Sequence, residues 1–287
     1  MYTSYHVAIA QGELFFMRTS YHVAIPQDKL NFTVVTALFD IGRGQWRRQT
    51  RPFSQYLDFS LQLLSLDVNM VVFVDPKALD FVRKHRVACQ DRTVIIPTKL
   101  GQLEYYKYRS RMKMIMSSDE FQKDNQLLNN AEGFSPDYDI VMNSKFYLLN
   151  NVTYSNPFNS SHFMWVDSGY GHGQDIGFPE NGVWIPKRFL ATKNTVTVIQ
   201  MNNPKDFQNV PQLYKLDTEP AFVGGCFGGD KNAVRRLHVI HNYLFKKAMN
   251  NGWVDDDQTF LLLSYYNSPE LFNPVKGGYW SVFDVLA

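Results

Sequence analysis

Cysteine is scarce in this 287-residue chain: Cys89 and Cys226 stand far apart, outside any C-x-x-C spacing. That excludes a disulfide-stapled scaffold and a cysteine zinc site, and it suits a reducing compartment. An excess of one charge is also missing, with 29 basic against 27 acidic residues and a net charge of +2. Without a basic stripe, bulk binding of nucleic acid is not expected. No apolar run approaches the ~18 residues of a membrane span, and no charged leader precedes an apolar stretch. The expectation is a cytoplasmic protein with no signal peptide and no membrane anchor. Neither G-x-x-x-x-G-K-[ST] nor G-x-G-x-x-G occurs, which weakens nucleotide triphosphatase and dinucleotide readings. The absence of D-x-D-x-[TV] discounts a phosphatase with Asp40 as nucleophile.

What is present is an ordinary globular composition, 45% apolar and 20% charged, with a high aromatic share of 15%. One substantial core is affordable at this length. Residues 1–16 and 17–32 are a tandem duplication that shares TSYHVAI in register. Two copies make no solenoid, so the segment is expected to be partly dispensable, with His6 and His22 one histidine copied. Residues 33–287 are expected to form a single domain.

Within it, TVVTALFD (33–40), MVVFVD (70–75) and TVIIP (93–97) are β-branched runs of strand length. Between them, helical spacing runs over Phe53–Leu66, and Pro76 opens a second helix. Strand and helix alternate as in parallel βαβ units. An amphipathic helix is expected over 137–152, strands at 162–167 and 196–201, and a glycine-crowded strand or bend at 220–230. A long helix follows at 231–252, and a last one from 255, with three acids in its first turn.

In an open parallel sheet, ligands bind beyond the carboxyl ends of the strands. The residues at those ends include Asp40, Asp75, Asp167 and the segment from Gly224 to Asp230. Asp167, in WVDSGYGHG, can hold a cation or accept from sugar hydroxyls, and the glycines allow close backbone approach; a tight turn explains the same residues. His172 more often serves neither metal nor sugar in such a turn. Four glycines in GGCFGG (224–229) suit a backbone passing beneath a ligand. Cys226 among them reads as a small packed residue. Asp255, Asp256 and Asp257 complement a helix dipole. Mutual repulsion and burial would also raise a pKa there, as a general base requires. Lys145 reads as a solvated lysine before a donor contact. The cluster Arg43, Arg47, Arg48 and Arg51 reads as a solvated face, with attraction of a diphosphate as the alternative.

Taken in order, TALFDIGRG, VVFVD, KFYLL, FMWVDSGYGHG, FVGGCFGG and DDDQTF resemble the HtrL/YibB family of glycosyltransferase-like proteins over about residues 33–275. The short form is also similar to glycosyltransferases of large algal viruses, xylosyltransferases among them. The resemblance implies an α/β, GT-A-like fold with a Rossmann-like, mostly parallel central sheet flanked by helices. It implies a nucleotide-sugar donor, UDP-linked and carrying xylose in the viral case, with a glycan or glycoprotein acceptor. On that pattern Thr36, Ala37, Phe39, Asp40 and Arg43 line the nucleotide, with Asp75 near the uridine or ribose. Lys145, Asp167, Ser168 and Gly169 approach the donor. Gly224, Gly225, Phe227 and His172 face sugar or acceptor, and Asp256, Asp255 or Asp257 acts as the catalytic acid–base, with inversion favoured over retention. The D-x-D of such enzymes is here Asp167-Ser168-Gly169. Asp167 is then the expected ligand of Mn²⁺ or Mg²⁺, unless Arg43, Lys145 or Lys276 neutralises the diphosphate instead. A carbohydrate-binding protein of this fold without turnover is the alternative.

Overall fold

The computed structural model describes residues 31–174, 176–179, 182–210 and 212–287, and the backbone of two N-terminal strands. These are β1 (His6–Ala10) and β2 (Glu13–Met17), an antiparallel pair. The side chains of His6 and His22 lie outside the described residues.

The body is one seven-stranded sheet. Its strands are β3 (Phe32–Leu38), β4 (Asn69–Val74), β5 (Thr93–Pro97), β6 (His162–Val166), β7 (Val196–Gln200), β8 (Phe222–Asp230) and β9 (Phe272–Lys276). Their order is β5-β4-β3-β6-β8-β7-β9. All run parallel except β8, which is antiparallel to both neighbours. The α/β expectation of a mostly parallel sheet flanked by helices is met.

The strands read as unbroken apolar runs because both faces are covered. Along β3 and β4, Val35, Val71 and Phe73 face one core, while Val34, Leu38, Val72 and Val74 face the other. Helices Pro136–Ser155, Lys231–Asn250 and Asp257–Asn267 cover the first face. Helix Phe53–Leu64 and the segment around Phe283 cover the second.

Three local expectations change. The 137–152 segment is not an amphipathic surface helix. It extends over Pro136–Ser155, started by the Ser135 cap and Pro136 and stopped by left-handed Asn156, with Asp139, Asn143 and Lys145 buried along with its apolar residues. Layers pack against it on opposite sides, and toward its C-terminal end Tyr154 remains 67% exposed. The glycine run lies inside strand β8, not beyond a strand's carboxyl end. Because β8 is antiparallel, Gly224 and Gly225 are at the rim where β6 ends, and Asp230 is at the far end, capping the 231–250 helix. The last helix carries only Asp257 in its first turn: Asp256 is the cap, and Asp255 precedes it. Strand β9 had no expectation, because its Asn-Pro core looks like a turn.

Deep glycines give a direct test. A Cβ on Gly228 would collide with the Phe163 carbonyl and lie 2.7 Å from Met164 Cα, both backbone atoms. Gly228→Ala is therefore expected to cost about 1–3 kcal/mol or more as overpacking, read as a lowered midpoint of thermal unfolding.

Candidate functional site

Lys145 is the centre of the candidate site. Its helix crosses the core, so the side chain is only 1% exposed, yet its ammonium reaches the sheet rim. There Nζ lies 2.5 Å from Asp257 Oδ2 and 2.8 Å from Asp167 Oδ1, and it donates to the Gly224 carbonyl at 3.3 Å. Asp167 follows β6 directly, and its amide donates to Gly225 O at 2.8 Å, extending the β6–β8 ladder by one step. Trp165 Nε1 donates to Asp167 Oδ1 at 2.6 Å. A Cβ on Gly224 would stand 2.5 Å from Asp257 Oδ1, so glycine is required for that carboxylate to reach Lys145. Gly225 would meet nothing closer than 3.5 Å. Gly224→Ala should thus lower the thermal midpoint and displace Asp257, whereas Gly225→Ala should leave the fold within about 1 kcal/mol of wild type.

A second set of bonds holds the Asp255–Asp257 segment. Asn143, two residues before Lys145, donates through Nδ2 to the carbonyls of Asp139 and Asp255, both at 2.9 Å. Its Oδ1 must then accept from His241 Nε2 at 3.0 Å, leaving His241 Nδ1 to accept from the Tyr105 hydroxyl at 3.2 Å. Burial drives the His241 pKa well below its usual value, so this chain of bonds is neutral.

Burial also sets the protonation of the acids. It raises the Asp257 pKa, and Lys145 partly offsets the rise. For Lys145 burial works against the charge, but Asp167 and Asp257 outweigh it, and the ammonium is held protonated. Asp256 is driven well above the carboxylate range by burial and then by its two neighbours. Asp255 is pushed up to about 7, mainly by burial. An aspartate whose folded pKa exceeds its unfolded value of about 3.9 stabilises fully below that value and loses the contribution as pH rises through the folded pKa. Stability should therefore fall as the pH rises from about 4 to about 7, the interval between the unfolded value and that of Asp255. Asp255→Asn, which can still accept from Asp256 N, should flatten that fall and gain roughly 1.4 kcal/mol or more at pH 8, measured by denaturant unfolding.

Two connected recesses meet at Lys145, Asp167 and His172. One is largely apolar and is lined by Ala37, Phe39, Ile41, Tyr56 and Trp165, with Ser168 and Gly169 on its edge. The other is polar and is lined by Arg43, Arg51, Gly224, Gly225, Asp257 and Gln258. Tyr138, Met142 and Trp280 border both.

The fold thus gathers Ala37, Phe39, Arg43, Lys145, Asp167, Ser168, Gly169, His172, Gly224, Gly225 and Asp257 around one cleft. Others stand apart from its lining. Thr36 is fully buried within β3. Asp40 pairs with Lys77 at 2.9 Å, and Asp75 caps the turn that carries Lys77. Phe227 stacks on Phe146 in the core, with centroids 4.9 Å apart. Asp255 and Asp256 face a neighbouring recess with Glu132 and Asp217. Lys276 borders a separate depression beside Gln200. Lys145 itself is no solvated lysine, because the second helical layer covers it.

Sequence reasoning did not assign Tyr138, Met142, Gln258 or Trp280 to the site, and it offered Arg51 only as the diphosphate-attracting alternative for its basic cluster. Tyr138 and Met142 were within reach of it: they precede Lys145 by seven and three residues and so share its helix face. Trp280 gave no local signal, since it arrives from the last segment of the chain.

Asp167 fits a resident divalent cation poorly. Its Oδ1 already accepts from Trp165, and both oxygens face the Lys145 ammonium, Oδ2 at 3.1 Å. Among the described residues no three His, Cys, Asp or Glu side chains converge to hold a metal. No helix among them is long and apolar enough to cross a membrane.

Against known proteins, the chain overlaps with two solved structures at a TM-score of 0.41 and 12% identity each. One is mouse xyloside xylosyltransferase 1 in its apo form, with 85% of this chain and 84% of that chain covered. The other is 4-diphosphocytidyl-2C-methyl-D-erythritol synthase from Anaerococcus prevotii, with 86% and 89% covered. A TM-score this low says nothing about chemistry. In sequence, the chain is 26% identical to Protein HtrL of Escherichia coli K12 over 273 residues, which is 88% of this chain and 90% of that protein. Residues 30–287 match the family described as "Bacterial protein of unknown function (HtrL_YibB)". This chain belongs to the HtrL/YibB family.

Proposed function

We propose that the protein is a glycosyltransferase that takes a sugar from a nucleotide-sugar donor, UDP-linked, and passes it to a glycan hydroxyl. One observation carries the reading: Asp167 and Asp257, distant in sequence, meet on a buried ammonium where an apolar recess joins a polar one. The apolar recess, with Phe39, Tyr56 and Trp165, offers a nucleoside its stacking surfaces. The polar recess offers cations to a diphosphate and carboxylates to sugar hydroxyls.

In the transfer, Asp257 takes the proton of the acceptor hydroxyl as that oxygen bonds to the anomeric carbon. The bond from this carbon to the phosphate oxygen breaks, and its electron pair leaves with the nucleoside diphosphate. Attack from the face opposite the leaving group inverts the sugar. A carboxylate whose pKa burial has raised is suited to this proton transfer near neutral pH. Asp256, one residue away, faces the neighbouring recess instead.

Thermal unfolding with a panel of UDP- and GDP-sugars, UDP-xylose among them, tests the assignment. A cognate donor at a hundredfold excess over its Kd adds about 2.7 kcal/mol of stability. A UDP-sugar should raise the midpoint and be slowly hydrolysed to UDP. Stabilisation by free glycans alone, with no response to any nucleotide sugar, would instead identify a carbohydrate-binding protein without turnover.

A further inference from the structure

We infer that the phosphate end of this cleft works without a divalent cation, and that Arg43 and Arg51 clamp the diphosphate opposite the Lys145 ammonium. The nucleoside half rests on the glycosyltransferase reading; the clamp concerns only the diphosphate. Arg51 is thereby a binding residue.

Both arginines line the polar recess with Lys145, Asp167 and Asp257. Both are braced by one tyrosine. Arg43 Nη1 donates to the Tyr56 hydroxyl at 2.7 Å, and its Nε donates to Gln49 O at 2.9 Å. The Arg51 guanidinium lies 5.2 Å from the Tyr56 ring centroid and 5.5 Å from that of Phe59. A guanidinium held by aromatic faces keeps its planar fork of N–H donors available for phosphate oxygens.

The partner of Arg51 is an imidazole. Arg51 Nη1 lies 3.2 Å from His172 Nε2, which can only accept there. His172 takes a left-handed φ of 51° between Gly171 and Gly173, which are also at positive φ. Its ring packs 5.3 Å from Phe59 and 5.0 Å from Trp280. The loop after β6 thus spends an uncommon backbone conformation on aiming a neutral acceptor at Arg51. Among the described residues neither Arg43 nor Arg51 has a carboxylate within ion-pairing distance. Three fixed cations therefore face two carboxylates in the recess. The surplus attracts a diphosphate and repels a dication, whose natural ligand, Asp167, is already engaged by Lys145 and Trp165. When the sugar–phosphate bond breaks, charge grows on the diphosphate oxygens, where the clamp and Lys145 stabilise it.

Calorimetric titration of the full chain with UDP, GDP and inorganic pyrophosphate tests the clamp, each in EDTA and again in MnCl₂. Binding of pyrophosphate and of one nucleotide is expected in EDTA, unchanged by Mn²⁺. Arg51→Ala should weaken both roughly 10- to 100-fold, the loss of a charged hydrogen-bonding partner, with partial recovery in Arg51→Lys. Arg48→Ala, at an exposed position off the cleft, should match wild type. Binding that disappears in EDTA and returns with Mn²⁺ overturns the inference. So does an Arg51→Ala protein that binds pyrophosphate like wild type, or a wild type that binds none of the three. Pyrophosphate binding that depends on Arg51, with no nucleotide bound, upholds the clamp and removes the nucleotide-sugar reading instead.

Discussion

Lys145→Met is expected to lower the thermal midpoint by on the order of 10 °C, the largest stability loss at the site. Methionine fills much of the lysine stem's volume, so the loss does not come from a cavity. It comes from charge. Asp257 is 2% exposed and Asp167 is 34% exposed at the side chain, so deleting the ammonium strands Asp257 in particular. Breaking a buried pair by removing one partner costs about 3–5 kcal/mol, because the remaining charge stays desolvated. Two further measurements separate this account from simple misfolding. Lys145→Met/Asp257→Asn removes the stranded charge and should recover more than half of the loss, a coupling that a double-mutant cycle reads directly. The deficit of the single variant should also shrink from pH 8 to pH 5. Without Lys145 the folded Asp257 pKa rises further, so its penalty is present in full above that pKa and fades as the pH falls toward about 3.9. A deficit that is independent of pH, with no recovery in the double variant, would mean that the ion pair is not what the lysine contributes.

Asp257→Asn is expected to cost about 10²- to 10⁴-fold in sugar transfer, the usual contribution of a positioned general base. Asparagine keeps the shape, so Gly224 still accommodates it, and Lys145 retains Asp167 as a partner. The fold should survive with a thermal midpoint close to wild type, and donor binding by calorimetry should persist. Loss of turnover with intact binding is the signature that distinguishes a base from a residue that merely holds Lys145. Asp256→Asn is the matched comparison, because Asp256 faces the neighbouring recess and caps its helix through Gln258 N. It should slow transfer far less. The reverse order of effects would move the base to Asp256.

Much of the scaffold could be read from local pattern. The apolar runs at 70–75 and 196–201 became β4 and β7, because a strand buried on both faces needs an unbroken run, and 93–97 became the edge strand β5, whose burial alternates. The aspartate after β6 lies at the rim, where a parallel sheet binds ligands. Helix 231–250 ends just before Gly252, whose φ of 76° only glycine adopts freely. Other readings went astray where a residue's surroundings come from elsewhere in the chain. Lys145 looks like a surface lysine until helices 231–250 and 257–267 cover it. The acidic run looks like one unit until its helix begins, which turns Asp257 toward Lys145 and Asp256 away.

By itself, then, the amino-acid sequence determined the alternation of strands and helices, the position of Asp167 after a buried strand, and the family. These depend on periodicity, caps and motifs, which neighbouring residues specify. Only the tertiary structure decided which of three adjacent acids meets Lys145, which glycine lets it do so, and that Arg43 and Arg51 converge on the same recess. Those choices follow from the antiparallel insertion of β8 and from burial beneath a second layer of helices. Both are set by packing between segments that lie far apart along the chain.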